Sequence, residues 1–240
     1  MLRLLFLRVS VLAGLVAAAF VVAPAYSATI TTYSDSSAWQ SAASVLATVD
    51  FEGLAPANGS TTYTGSTGVT SGGAEFIGYT SSGSSWIQVI DTNFNIWYNF
   101  GTSDALRQNM DRPTSNSPLP YIHVALPANV TAFGVDLFTV SPSALSYTIT
   151  VAGTPYTVPT SNRPTETFWG VTSDTPIPSV DLTLQGTVYN GSTSALLDDF
   201  RYGAAQGMSD APEAATFLLI GSGLIGIAAL KKWLGRNRSA

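Results

Sequence analysis

Between residues 47 and 202 the apolar residues fall into short β-prone runs, and no apolar stripe in that span recurs at helical spacing. This pattern constrains the fold more than any other feature. Residues 47–51, 74–79, 85–90, 95–100, 121–126, 132–138, 146–151, 156–158, 168–171, 180–184 and 195–202 read as ten or eleven short strands. Val, Ile, Thr and the aromatics dominate them, side chains that pack well on a pleated surface. Gly, Pro, Asn and Ser separate the runs at spacings of roughly 8 to 20 residues. In residues 85–90 the alternation sets Trp86 and Gln88 on one face and Ile87 and Val89 on the other. Such a chain is predicted to be all-β, an antiparallel β-sandwich; without amphipathic crossover helices a parallel α/β sheet is excluded. Before the carboxyl end one short helix is expected, capped by Ser34-Asp35-Ser36-Ser37, carrying Trp39, Ala42 and Ala43 and reaching toward Val45 and Leu46.

Cysteine content and charge narrow the chemistry. The chain has no cysteine, which excludes disulfides, thiolate catalysis and Cys-based zinc or iron–sulfur sites. Between residues 28 and 211 lie 14 acidic residues against 4 basic ones, Arg107, Arg112, Arg163 and Arg201, a balance of −10. A domain this acidic repels nucleic-acid phosphates and suits neutral glycans or divalent cations.

Both ends read as addressing segments. Arg3 and Arg8, apolar residues 9–22 and the small-residue site Ala25-Tyr26-Ser27 make residues 1–27 a signal peptide, with cleavage expected between Ser27 and Ala28, Ala23-Pro24-Ala25 as the alternative site and an uncleaved membrane anchor as the rival reading. Residues 214–230 are an uncharged apolar run of 17 residues, at the short limit for a spanning helix, and Lys231, Lys232, Arg236 and Arg238 follow. The basic end is expected to stay cytoplasmic, with the preceding domain outside the inner membrane. Gly221, Gly223 and Gly226 form a strip that lets a second helix approach. Residues 28–203 are then the passenger domain, 204–211 a small polar linker and 212–240 the tail.

Pro212-Glu213, an apolar helix containing Gly221-Ser222-Gly223-Leu224 and a basic tail resemble the PEP-CTERM sorting signal, with Ala214 where the usual motif has a second proline. In that family the exosortase, an integral-membrane transpeptidase-like enzyme, processes the tail. The resemblance implies recognition through Pro212, Glu213, Gly221, Ser222 and Gly223, orientation by the four basic residues, and exosortase and the membrane as partners. The product would start as a membrane-anchored precursor and end at the cell surface or in the extracellular polysaccharide matrix. A plain C-terminal anchor is the rival reading.

Three segments resemble the jelly-roll passengers of such proteins and jelly-roll carbohydrate-binding modules: Val49-Asp50-Phe51-Glu52-Gly53-Leu54, Ala132-Phe133-Gly134-Val135-Asp136-Leu137 and Leu196-Leu197-Asp198-Asp199-Phe200-Arg201-Tyr202-Gly203. The resemblance implies that the first and last strands lie side by side. It also implies a structural calcium ion held by Glu52 and Asp198, with Asp199 or Asp50 as alternates. Strand alternation places Asp198 and Asp199 on opposite faces, so that only one of them is central.

Trp86, Trp97, Tyr98 and Trp169, joined by Tyr121 or Tyr156, are the candidate glycan platform, with core packing the competing use of the same rings. The segment 86–100 is the expected binding edge. His123, the only histidine, sits in an apolar strand, and no Gly-x-Ser-x-Gly elbow is present, so an enzyme is not expected. The functional expectation is an exported structural or adhesive protein that recognises extracellular polysaccharide. The alternative is a secreted glycoside hydrolase or lyase drawing two carboxylates from Glu52, Glu75 and Glu166. Asn58-Gly59-Ser60, Asn129-Val130-Thr131 and Asn190-Gly191-Ser192 match glycosylation triplets and read instead as chance matches or turn chemistry.

Overall fold

The computed structural model describes residues 28–94, 103–112, 114, 116–140, 145–160, 165–185 and 193–206. The signal peptide with Ser27, the sorting tail with its candidate residues, and Trp97 and Tyr98 lie outside the described residues. Among the described residues no helix is long and apolar enough to cross a membrane.

Two antiparallel sheets face each other, the sandwich expected from the sequence. The first has eight strands in the order β1 (Ile30–Tyr33), β12 (Thr167–Ser173), β9 (Ala132–Val140), β14 (Ser194–Ala205), β7 (Ala105–Asn109), β6 (Trp86–Ile90) and β3 (Ser60–Thr64), with β2 (Ala43–Val49) also on β14. The second has six, in the order β11 (Thr154–Pro159), β10 (Ser146–Val151), β13 (Ser179–Gln185), β8 (Tyr121–Ala125), β5 (Ala74–Tyr79) and β4 (Val69–Ser71). The long β14 bonds β9 along one edge; along the other it bonds β7 through residues 194–197 and β2 through residues 200–205.

Alternation builds the core. Ile122 and Val124 of β8, Val180, Leu182 and Leu184 of β13, and Tyr147, Ile149 and Val151 of β10 point inward, against Ile87, Val89, Leu106, Val135, Leu137 and Leu197 of the larger sheet. A run of rings crosses this interior: Phe51 on Phe76, Phe76 on Phe200, Phe200 on Phe133, Phe133 on Trp169 and Trp169 on Tyr156, with centroids 5.2 to 5.7 Å apart. Tyr147 ties the two sheets together. Its hydroxyl donates to the carbonyl of Phe138 at 2.7 Å and accepts the amide of Leu196 at 3.0 Å. Burial raises this phenol far above its ordinary value, so it stays protonated.

The helix α1 (Ser36–Ala42) is capped by Asp35, whose carboxylate accepts the amide of Ala38 at 2.7 Å. It stops earlier than the sequence suggests. Ala43 turns extended, and Val45 and Leu46, placed by the sequence at the helix end, belong to β2, where they are 44% and 74% exposed. Pairing with β14 here outweighs helix continuation. Trp39 of α1 lies fully buried on a glycine floor: Gly134 of β9 faces Gly170 of β12, and a Cβ on Gly170 would stand 2.8 Å from Cδ1 of Trp39. The indole donates to the carbonyl of Val171 at 3.0 Å. Asn58 and Asn129 both adopt positive φ, 57° and 65°, which is turn conformation.

Candidate functional site

At the β3 edge of the larger sheet the outward row of β6 is Trp86 and Gln88, because Ile87 and Val89 are drawn into the core. The register sets Thr64 opposite Trp86, Thr62 opposite Gln88, and Gln88 opposite Arg107 of β7. The polar side chains form a relay. The Gln88 amide donates to the Thr62 hydroxyl at 2.9 Å, Arg107 donates to the Gln88 amide oxygen, and the Arg107 Nε donates to the Ser194 hydroxyl at 3.1 Å. Thr62, Thr64, Ser84, Ser85, Trp86 and Gln88 line a shallow cleft. Trp86 is half-buried and supplies an aromatic ring beside an amide and hydroxyls whose positions the relay fixes. A ring flanked by oriented, uncharged donors and acceptors suits a neutral, hydroxyl-rich ligand with one apolar face.

The other expected aromatics separate. Trp169 is 6% exposed and packs inward between Phe133 and Tyr156, so it has no ring face for a glycan. Tyr156 shares that packing at the core margin. Tyr121 lies on the other sheet, stacked on Tyr79. Sequence reasoning missed Thr62, Arg107 and Ser194. Arg107 is carried by Ala105–Asn109, a segment with no strand-like pattern, and no signal in a single sequence pairs it with Gln88.

The acidic residues expected to hold calcium are arranged otherwise. Glu52 Oε1 accepts the amide of Asp104 at 2.9 Å, and Asp198 accepts the hydroxyl of Ser103. The early turn and the last strand therefore meet on two consecutive residues. Asp199 turns away to Arg201, 2.6 Å off, and Arg201 also pairs with Asp136 at 3.0 Å. The expected opposition of Asp198 and Asp199 is corrected by a bulge: the register slips between Asp198 and Arg201, and Asp199 takes a φ of 46°. Leu197 and Phe200 both reach the core; between them Asp198 is buried at 9% exposure and Asp199 turns to Arg201. Burial, reinforced by the Asp199 and Asp136 carboxylates, pushes the Asp198 carboxyl up to about 7. Burial also raises Asp104, with Glu52 and Asp91 adding to it, against backbone hydrogen bonds from Ala55 and Gly53 that lower it. Among the described residues no three carboxylate or imidazole groups stand together as a metal cage. Amide and hydroxyl donors hold Glu52 Oε1 and both Asp198 oxygens.

His123 donates to or accepts from Asp181 at 2.6 Å, on the outward side of the six-stranded sheet. Glu52, Glu75 and Glu166 lie on a turn after β2, on β5 and before β12 respectively.

No family model and no curated protein matches the chain. Among solved structures it is similar to the CBM22-1 xylan-binding domain of Xyn10C from Paenibacillus barcinonensis, at 16% identity and a TM-score of 0.37, over 69% of this chain and 97% of that one. It is also similar to the K1 cleaved adhesin domain of Lys-gingipain from Porphyromonas gingivalis W83, at 12% identity and a TM-score of 0.31, over 73% and 98%. Scores this low add nothing to the strand pairing, on which the sandwich assignment stands.

Proposed function

We propose that this chain is an exported envelope protein whose β-sandwich binds neutral polysaccharide at the Trp86 cleft, in a structural or adhesive role. The observation that carries the reading is a half-buried tryptophan beside Gln88, Thr62 and Thr64 on an outward sheet face, with the amide held by Thr62 and Arg107. The repeated crossing of the chain between the sheets, with β8 and β13 in one and β9 and β14 in the other, supports the jelly-roll resemblance. Export and sorting rest on the sequence: the signal peptide, Pro212-Glu213, the apolar run and the basic tail that an exosortase would process.

The test is retention of the full chain on insoluble polysaccharides, wild type against Trp86→Ala. Removing a stacking ring at the centre of a small contact lowers affinity about tenfold or more. Equal retention of both proteins refutes the cleft as the site, and release of soluble sugar favours the hydrolase or lyase alternative. Sorting is tested by the mass of the mature protein. A product that still carries Lys231 to Ala240 contradicts processing of the tail.

A further inference from the structure

Among the described residues three large apolar side chains are exposed, Leu46 at 74%, Val45 at 44% and Leu119 at 38%. The two most exposed are neighbours, and a bulge in β2 puts them there. Ala43, at one end of the strand, packs with Trp39 of α1 and Ala132 of β9, while Ala47 and Val49 pack into the interior between the sheets. Strict alternation would give residues 43, 45, 47 and 49 one facing. The strand changes sides instead: Tyr202 of β14 stands opposite Ala47 and Gly203 opposite Val45, which leaves Leu46 with no partner across the ladder. Glycine is required at 203, because a Cβ there would stand 1.8 Å from the Ser44 carbonyl oxygen. The chain leaves the domain beside this pair. Gln206, just past β14, donates its amide to the Ala42 carbonyl at 2.7 Å and its side-chain nitrogen to the Ala43 carbonyl at 3.2 Å. Ala214, where the apolar run of the tail begins, stands eight residues beyond Gln206, a reach of at most about 29 Å when fully extended.

We propose that Val45 and Leu46 are a lipid-contact wedge: while the tail anchors the chain, these two side chains dip into the outer surface of the bilayer that residues 214–230 span. This inference rests on the membrane-anchor reading of the tail. Area and tether length select a bilayer over a second copy of the chain. Two side chains cover far less than the roughly 1,200 Å² that a stable interface between free molecules buries. A tether this short holds the pair at high effective concentration beside the lipid, so a weak apolar contact is enough. The acids that flank the pair in sequence, Asp35 and Asp50, repel anionic headgroups and set a preference for a zwitterionic surface. The contact also orients the domain. β14 pairs β2 through residues 200–205 and β7 through residues 194–197, and Gln88 pairs Arg107, which stands opposite Leu196. Leu196 is seven residues from Gly203, or roughly 20 Å along the strand. A domain seated on Val45 and Leu46 therefore holds the Trp86 cleft away from the bilayer, on the side where polymer is found.

The chain has no cysteine, so a single introduced one carries an environment-sensitive dye at a known place. Ser44→Cys reports beside the pair, and Ser82→Cys, in the turn between β5 and β6, is the control; both serines are exposed. The labelled full chain is reconstituted into phosphatidylcholine–phosphatidylethanolamine vesicles, which are then floated on a density gradient. The Ser44 dye is expected to be severalfold brighter than the Ser82 dye and to be quenched by lipid carrying a nitroxide near the headgroup. Adding Leu46→Asp, at a position too exposed to disturb packing, should return the Ser44 dye to the brightness of the control, and Val45→Thr should lower it in part. A Ser44 dye no brighter than the control in chains that float overturns this inference alone. Brightness that vanishes on dilution to one chain per vesicle overturns it in favour of a second copy. Chains that do not float with the vesicles overturn the anchor reading, and this inference with it.

Discussion

Replacing Asp198 by Asn makes the domain more stable at alkaline pH, although it removes a charge from the middle of a hydrogen-bonded cluster. Asp198 is only 9% exposed, accepts the Ser103 hydroxyl and accepts the Asp199 amide at 2.7 Å. Burial, with the Asp199 and Asp136 carboxylates acting in the same direction, raises its titration from 3.8 to about 7. The folded state therefore holds this proton more tightly than the unfolded chain does. Its stabilising contribution is complete below pH 3.8 and is lost as pH rises through about 7. A carboxyl displaced by about three pH units carries roughly 4 kcal/mol of differential stability at pH 8, an order-of-magnitude figure. An amide at this position has the same shape and never ionises; its oxygen keeps the Asp199 amide and its NH2 donates to the Ser103 hydroxyl, as the protonated carboxyl does. Asp198→Asn should match wild type near pH 4 and exceed it at pH 8 by up to roughly 4 kcal/mol, which for a domain of this size is on the order of 10 °C in melting temperature. Thermal melts of both proteins at pH 4, 6 and 8 decide it. If the variant is less stable than wild type at pH 8, Asp198 is ionised and held by a favourable partner, and the account of this cluster fails.

Gly170→Val drives a side chain into Trp39, which a Cβ alone would approach to 2.8 Å, and should cost about 1–3 kcal/mol in urea melts; an unchanged midpoint would mean that α1 is not seated on the glycine floor. Arg201→Met leaves Asp136 and Asp199 without their cation and should destabilise the domain by about 3–5 kcal/mol at pH 7, with less loss at low pH, where Asp136, raised by burial, takes up its proton. A uniform loss at both pH values would assign the effect to packing. Chelator is expected to leave the melting temperature unchanged, because Glu52 and Asp198 already have amide and hydroxyl partners; a fall of several degrees reversed by calcium would restore the ion to this site.

The sandwich was legible where strands alternate cleanly. In β8, β13 and β10 every second residue is inward, and the two faces of β6 follow directly from Trp86-Ile87-Gln88-Val89. It was not legible where the pattern is hidden by neighbours. Ser60–Thr64 is almost all hydroxyl and becomes a strand through pairing with β6 at the sheet edge. Ala105–Asn109 has no alternating apolar residues, and Gln108 is fully buried there, yet it is clamped between β6 and β14. Trp169 and Trp86 look alike in sequence. They differ because Trp169 points inward from β12, against Phe133 and Tyr156, while Trp86 lies on the outward side of β6. The bulge at Asp199 is the clearest limit. Strict alternation sets the two acids on opposite faces, and only the three-dimensional register shows the bulge that interrupts it at Asp199. The cleft was therefore half legible: its ring and amide came from β6 itself, while the β3 hydroxyls and the Arg107 that holds Gln88 come from strands that only tertiary pairing brings alongside.

Hydroxyl-radical footprinting of the full chain, read by mass spectrometry with and without a retained polysaccharide, tests the central claim most directly. Trp86 is half-buried and Trp39 and Trp169 are buried, so the latter two serve as internal references. Oxidation of Trp86 should fall severalfold when polysaccharide is bound while the two references stay at their low level. Undiminished oxidation of Trp86 at saturating polysaccharide would show that the glycan binds elsewhere.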